Sequence, residues 1–183
     1  MKYHIRQETP SDYAEAYNLV ELSFATVDYL TDGSDGVFSD EPVADYLNGL
    51  RGKDTFIPEL SLIAEHENGK IIGQIVLYKT NIITADKKNT ELVLSPICVH
   101  PDYFRQGIAR AMIEKALEIA KKIGYTAVFL CGEPKIYRRM GFTPSYEYGI
   151  YHVSDKDRNA EWCMVRELVD GALNSIDGTV DIV

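Results

Sequence analysis

The chain has 183 residues, 45% of them hydrophobic and 26% charged, which is typical of a single globular domain with a sizeable core. Its formal net charge of −9 disfavours nucleic acid as a partner, and no apolar run reaches the ~20 residues needed to cross a membrane. Because the N-terminus lacks a signal-peptide pattern, we expect one cytoplasmic domain over residues 1–183. The acidity suits a cationic small substrate, although solubility explains it more simply.

Strands and helices alternate through the N-terminal half of the chain. A helix start is predicted at Thr9 and Pro10, because threonine is a favoured N-cap and proline suits the first helical position. An Asn68-Gly69 pair between two apolar runs predicts a hairpin turn. The predicted elements are strands at Tyr3–Arg6, Leu60–Glu65 and Ile71–Tyr78, helices at Thr9–Phe24 and Pro42–Leu50, and a loop at Thr31–Gly36.

The C-terminal half alternates in the same way. Its strongest helix has apolar residues at helical spacing, namely Ile108, Met112, Ala116, Ile119 and Ile123. The predicted strands are Glu91–Val99, Ala127–Cys131, Phe142–Val153 and Glu161–Leu168, and the predicted helices are Gly107–Ile123 and Pro134–Met140. Helices that alternate with strands around a mixed sheet predict a layered α/β (α+β) fold.

The turn between the strand ending at Val99 and the next helix has the features of a phosphate site. The first N–H groups of a helix lack partners and carry partial positive charge, so they attract anions. Gly107 has no Cβ, so an anion can approach the backbone closely, and Arg105 and Arg110 add positive charge. A plain strand-to-helix turn is the alternative. Kinase-type P-loops and Rossmann loops are excluded because their further glycines and lysine are missing.

The segment Val99–Ala109 resembles the signature of the GNAT superfamily of N-acetyltransferases. That pattern is Gln or Arg, two residues, Gly, one residue, then Gly or Ala. Phe104 departs from it, because it stands where Gln or Arg is usual. The positions that fit are Arg105, Gln106, Gly107 and Ala109.

A second match follows about one helix and one strand later. The segment Ile136–Phe142 looks like the Tyr-x-x-x-Gly-Phe segment of the same family. The stretch Cys131–Lys135 and the C-terminal tail resemble a YhbS-like bacterial branch. Either motif by itself is a weak signal, but the two together in this order are a strong one.

The resemblance implies a mixed, mostly antiparallel sheet of about seven strands flanked by about four helices. Strands four and five, ending near Val99 and Cys131, would be splayed apart. Acetyl-CoA would be the cosubstrate, with its pantetheine arm paired to the backbone of Ile97, Cys98 and Val99. The positions implied to hold the pyrophosphate are Arg105, Gln106, Gly107, Ile108, Ala109 and Arg110.

The resemblance also implies direct attack by an amine on the thioester, with the Val99 N–H stabilising the oxyanion. Tyr137 matches the general acid of the family, although with 12 tyrosines in the chain a core role is the alternative. Some members use a glutamate on strand four as base, but that position is Val93 here. Glu133, Glu91 or a chain of waters are the candidates left, and Glu133 could equally cap a helix.

The other reactive side chains have structural interpretations. Cys98, Cys131 and Cys163 are odd in number, far apart and in apolar runs, so we expect reduced, buried thiols. Cys98 is interpreted as a core residue and not a nucleophile, and His100 as a surface residue at a turn. No cluster of ligating residues has metal-binding spacing, so we expect no metal.

The sequence therefore predicts an N-acetyltransferase that acts on a small-molecule or protein amine, with neither nucleic acid nor membrane as partner. A catalytically idle acyl-CoA-binding module is the alternative, and O-acylation or a longer acyl group is a third possibility. Acceptor specificity is expected in the first helices, in the loop Tyr29–Ser39 and in the C-terminal strands. The oligomeric state is open, with a homodimer as one possibility.

Overall fold

The computed structural model describes residues 2–26 and 42–182. The loop predicted at Thr31–Gly36 and the proposed specificity loop Tyr29–Ser39 lie outside the described residues. The strands are β1 (Tyr3–Gln7), β2 (Phe56–His66), β3 (Ile71–Thr84), β4 (Lys88–Val99), β5 (Ala127–Cys131), β6 (Thr143–Pro144), β7 (Ile150–His152), β8 (Cys163–Glu167) and β9 (Gly178–Val180). The α-helices are α1 (Tyr13–Thr26), α2 (Val43–Leu50), α3 (Ile108–Lys122) and α4 (Pro134–Tyr137).

The described residues divide into two compact units. The first contains residues 2–26, 42–78 and 95–119, and the second contains residues 79–94 and 120–182. The chain passes from one unit to the other within β3, β4 and α3. The expectation of a single domain over residues 1–183 stays a prediction.

The first unit contains the strand order β1–β2–β3–β4. Strands β1 and β2 are antiparallel, and β2 is antiparallel to β3, with the predicted hairpin turn between them. Gly69 in that turn has a φ of 86°, a left-handed conformation that glycine adopts at little cost. The inner stripe of α1 is Ala16, Leu19, Val20 and Ser23, all buried as its spacing predicts.

Polar contacts fix the start of this unit. The side chain of Asp12 accepts a hydrogen bond from the Thr9 N–H at 2.8 Å, which forms the capping box before α1. Arg51, which follows α2, forms an ion pair with Glu8 at 2.6 Å, and both side chains are buried. Ser61 donates a further bond to Glu8 at 2.7 Å, so the buried carboxylate is fully paired.

The second unit contains the strand order β3–β4–β5–β8–β6. Strands β4 and β5 are parallel and pair at two positions, Leu92 with Val128 and Val93 with Phe129. Strand β8 is antiparallel to both β5 and β6, and β9 pairs with β3 and β7. Pairing of β4 with β5 stops at Val93 and Phe129, although β5 continues to Cys131.

The predicted mixed fold, with a mostly antiparallel sheet and four helices, is confirmed. The described residues contain nine strands where about seven were expected. Three of the nine strands are very short: β6, β7 and β9 have three residues or fewer. Ile123 does not belong to the buried stripe of α3: the helix ends at Lys122 and the Ile123 side chain is 46% exposed. Among the described residues, no helix is long and apolar enough to span a membrane.

Candidate active site

The turn before α3 leaves several backbone N–H groups without a partner inside the helix. Arg105 has a φ of 59° and Gly107 a φ of 81°, so both residues are left-handed and the chain reverses sharply before the helix begins at Ile108. Ile108 is buried and anchors the first turn of α3. The Ala111 N–H donates to the Gly107 carbonyl at 3.0 Å. The N–H groups of residues 108–110 come before that first helical bond, as at any helix start.

The charge at this turn favours an anion. The first turn of α3 contains no acidic residue, and the side chains of Arg105 and Arg110 are exposed. A Cβ added to Gly107 would have no atom within 4 Å among its neighbours, so the space beside its backbone is open. Glycine is favoured here by the left-handed backbone, and the open space leaves room for a ligand to approach.

The end of β4 is held against α1 within the first unit. The Ser23 hydroxyl donates a hydrogen bond to the Val99 carbonyl at 2.8 Å. Burial raises the pKa of the Cys98 thiol to about 12, so the sulfur stays protonated at neutral pH. Cys98 is therefore the core residue that the sequence predicted.

His100 is not the surface residue expected from its place before Pro101. Its side chain is 12% exposed, its Nε2 lies 2.9 Å from the Lys70 Nζ, and its ring packs on Tyr103. Burial and the nearby Lys70 lower the pKa of the imidazole, so His100 is neutral at pH 7. The Asp102 N–H donates to its Nδ1 at 3.2 Å, and the ring closes the turn after β4.

Sequence reasoning overlooked Gln74. It lies on β3 in the first unit, fully buried, and neither atom of its carboxamide has a hydrogen-bond partner among the described residues. A buried amide without partners costs ~1–3 kcal/mol, which makes this position unusual. The signal that could have revealed it is a single polar residue within the apolar run Ile71–Tyr78.

The second motif surrounds Tyr137 in the second unit. The Tyr137 ring is half-buried and lies edge-on to Phe142, with ring centroids 5.9 Å apart. A Cβ on Gly132 would overlap the Tyr137 ring, so the missing side chain makes room for it. Gly141, with a φ of 78°, turns the chain so that Phe142 enters the core. The motif residues therefore pack around Tyr137.

The two glutamates considered as bases have different surroundings. Glu133 is the N-cap of α4, and its Oε1 accepts a hydrogen bond from the Lys135 N–H at 3.1 Å. Glu91 is buried and accepts hydrogen bonds from the N–H groups of Thr126 and Ala127, each at 3.0 Å, and from the Thr126 hydroxyl. Glu91 thus joins β4 to the start of β5 and is neither solvated nor available as a base.

The candidate residues fall in both units. The cofactor-binding candidates Ile97–Val99 and Arg105–Arg110 belong to the first unit, and Glu133 and Tyr137 belong to the second. No group of three or more His, Cys, Asp or Glu residues in the described part of the chain could hold a metal ion.

The chain matches the family described as Acetyltransferase (GNAT) domain over residues 4–145. This match spans well over half of the sequence, and the chain therefore belongs to the GNAT acetyltransferase family. The resemblance read from the two motifs is confirmed, and so is the prediction of an acetyltransferase.

Two curated relatives come from Escherichia coli strain K12. The chain is 29% identical over 150 residues to the uncharacterized N-acetyltransferase YhbS, covering 79% of this chain and 83% of that protein. It is 30% identical over 101 residues to the uncharacterized N-acetyltransferase YjhQ, covering 55% of each. These matches agree with the resemblance to a YhbS-like branch.

Two solved structures have a similar fold. The E. coli YhbS structure in complex with CoA has a TM-score of 0.81 at 23% identity, covering 100% of this chain and 91% of that one. A GNAT family acetyltransferase from Brucella melitensis in complex with acetyl-CoA has a TM-score of 0.73 at 24% identity, covering 100% and 96%. Because both identities are below 25%, the similarity to these two structures establishes the fold alone.

Proposed function

We propose that this chain transfers an acetyl group from acetyl-CoA to a primary amine by direct attack. The observation that carries the proposal is the turn at Arg105–Gly107, which brings two exposed arginines to the start of α3, where the first N–H groups precede the first helical hydrogen bond. A helix N-terminus without acidic residues attracts the negative charge of a pyrophosphate. The family assignment and the CoA and acetyl-CoA complexes of the two similar structures support the choice of this cosubstrate.

The pantetheine arm would bind along the last residues of β4. Ile97, Cys98 and Val99 would offer backbone groups to its amides, in the manner of an added strand. The thioester would then lie beside Val99, whose N–H would stabilise the tetrahedral oxyanion. The bond from Ser23 to the Val99 carbonyl supports this role, because it restrains the residue that carries the N–H.

Tyr137 would be the general acid. The leaving thiolate of CoA needs a proton or a hydrogen bond, since a free thiol has a pKa of about 8.5. The ring of Tyr137 packs against Gly132 and Phe142, so its hydroxyl is carried on a restrained side chain. This support is what a positioned acid requires.

Glu133 would take the proton from the incoming ammonium, directly or through water. Its half-buried carboxylate precedes Pro134 and caps α4, which holds one oxygen in place. The second oxygen would act as the base. A role confined to capping is the competing interpretation. Removal of the negative charge should slow turnover if Glu133 is the base and leave turnover unchanged if Glu133 only caps the helix.

The acceptor would be a small-molecule or protein amine, and the net charge of −9 favours a cationic one. A cytoplasmic location and a homodimer also remain predictions. The test measures turnover of acetyl-CoA with a panel of amines, using thiol release and the mass of the acetylated product as readouts. Binding of CoA without turnover of any amine would favour the idle acyl-CoA-binding module, which the intact Tyr137 and glycine turn disfavour.

A further inference from the structure

Two of the three cysteines lie directly opposite each other on neighbouring strands of the second unit. Cys131 on β5 pairs with Cys163 on the antiparallel strand β8. The next pair along, Gly132 and Trp162, is joined by a backbone hydrogen bond of 2.9 Å. Cys131 and Cys163 therefore form a non-hydrogen-bonded pair, the type with the closest side chains and a Cα separation of about 4.5 Å. That separation lies within the range of natural disulfides, about 4.4–6.8 Å.

The two thiols are reduced and influence each other. All three cysteines of the chain are free, and the thiols of Cys131 and Cys163 shift each other's pKa. The Ser145 hydroxyl donates a further bond to the Cys163 sulfur at 3.2 Å. The neighbouring Cys131 thiol lowers the pKa of Cys163, and Cys163 in turn raises the pKa of Cys131, so Cys163 is the sulfur that more readily becomes a thiolate.

The pair is also within reach of a small oxidant. Cys163 is buried, whereas Cys131 is half-buried and is the more exposed of the two. Cys98 lies in the other unit, and burial raises the pKa of its thiol to about 12. Cys98 is therefore an internal control for reactivity.

We propose that Cys131 and Cys163 are a redox modification site, at which a peroxide converts two thiols into a reversible cross-strand disulfide. The Cys163 thiolate attacks one oxygen of hydrogen peroxide, the O–O bond breaks, and the departing oxygen leaves as water after taking a proton. The Cys131 thiol then loses its proton and attacks the sulfenic acid sulfur. The S–S bond forms, the S–O bond breaks, and a second water is released. Both thiols are oxidised and one peroxide is reduced to two waters.

The disulfide would act on the proposed acid of the same unit. Cys131 directly precedes Gly132, and the Tyr137 ring occupies the space that a Gly132 side chain would fill. An S–S bond in place of two separate thiols fixes the Cys131 side chain and changes the surroundings of the residue that this ring rests on. We expect Tyr137 to shift and turnover to fall, and this consequence rests on the proposed acetyl transfer.

The disulfide itself is tested by treating the full chain with hydrogen peroxide and counting free thiols after denaturation. We expect the three free thiols of the reduced chain to fall to one, with a mass lower by two hydrogen atoms and full reversal by dithiothreitol. Peptide mapping should join Cys131 to Cys163. Cys98→Ser should form the same bond, whereas Cys131→Ser and Cys163→Ser should not. Three thiols that persist, or a bond that includes Cys98, would overturn the proposal even if a serine variant fails to fold.

The consequence for turnover is measured on the parent and on Cys131→Ser, each before and after peroxide. Because displacement of a catalytic group by an ångström can cost about 100-fold, we expect oxidation to slow the parent by about 10- to 100-fold, with dithiothreitol restoring the rate. Affinity for CoA should stay constant. An oxidised, cross-linked parent with full turnover would refute the link to Tyr137. Absence of turnover in both states would refute the proposed function instead, and the thiol count would still test the disulfide.

Discussion

A charge placed at Gly107 tests the pyrophosphate site most sharply, because the backbone conformation permits a matched pair of substitutions. Gly107 is left-handed, with a φ of 81°, and its surroundings leave room for a Cβ. Asparagine and aspartate are the residues that best tolerate this conformation, and they have nearly the same size. Each should cost up to about 1–2 kcal/mol of folding free energy. The comparison of Gly107→Asp with Gly107→Asn therefore isolates the negative charge.

The size of the effect follows from Coulomb's law. A carboxylate about 4 Å from a phosphate charge is repelled by about 1 kcal/mol in bulk water and about 4 kcal/mol at the effective dielectric of a protein surface. We expect Gly107→Asp to bind CoA about 5- to 1,000-fold more weakly than Gly107→Asn, as measured by calorimetry. The difference should shrink as salt is added, because the charges are exposed.

Gly124 provides the control at the other end of α3. It is also left-handed, with a φ of 103° and no atom within 4 Å of an added Cβ. The helix α3, which lies between the two glycines in sequence, has 15 residues and a length of about 22 Å, which exceeds the screening length of physiological salt. Gly124→Asp and Gly124→Asn should bind CoA equally well. Equal affinity of the two Gly107 variants would place the pyrophosphate elsewhere and refute the reasoning.

Four further predictions concern single side chains. Tyr137→Phe should keep its melting temperature but slow single-turnover acetyl transfer by about 10²–10⁴-fold, and an unchanged rate would remove Tyr137 from the mechanism. Glu133→Gln should lower kcat/KM with CoA affinity retained, whereas a lower melting temperature with full turnover would assign it to capping alone. Gln74→Met should raise the free energy of unfolding in urea by up to ~1–3 kcal/mol, since the buried amide has no partner among the described residues; a destabilised variant would mean that the amide is satisfied. The Arg6 guanidinium, hydrogen-bonded to Asp12, holds the pKa of that carboxyl well below its ordinary range. This bond therefore stabilises the fold above the ordinary aspartate pKa of about 3.9 and is lost as the pH falls below it, so Asp12→Asn should flatten the acid limb of stability against pH; an unchanged limb would contradict this.

Much of the fold followed from local sequence patterns. The Asn68-Gly69 turn, the cap at Thr9 and the periodicity of α3 each depend on neighbouring residues, and the structure confirms all three. Strand β9 was not predicted, because its three residues are defined by pairing with distant strands β3 and β7. A strand this short has too few residues to show a period.

The candidate site was only partly accessible from sequence, for a related reason. The turn at Gly107 is a local feature, and its left-handed backbone could be inferred from glycine itself. The roles of Glu91 and His100 depend on Thr126 and Lys70, which are 35 and 30 residues away. Whether the Gln74 carboxamide has hydrogen-bond partners depends on all the residues that pack around it. The spacing of residues along the sequence does not show which distant residues are in contact.

The most direct test of the central claim is turnover of acetyl-CoA in the presence of a cationic primary amine, followed by mass spectrometry of the acceptor. An acetyltransferase with Tyr137 as its acid should release one thiol for each acetyl group gained by the amine, and Tyr137→Phe should slow both to the same extent. A chain that binds CoA tightly but acetylates no amine, with identical behaviour of Tyr137→Phe, would contradict the account.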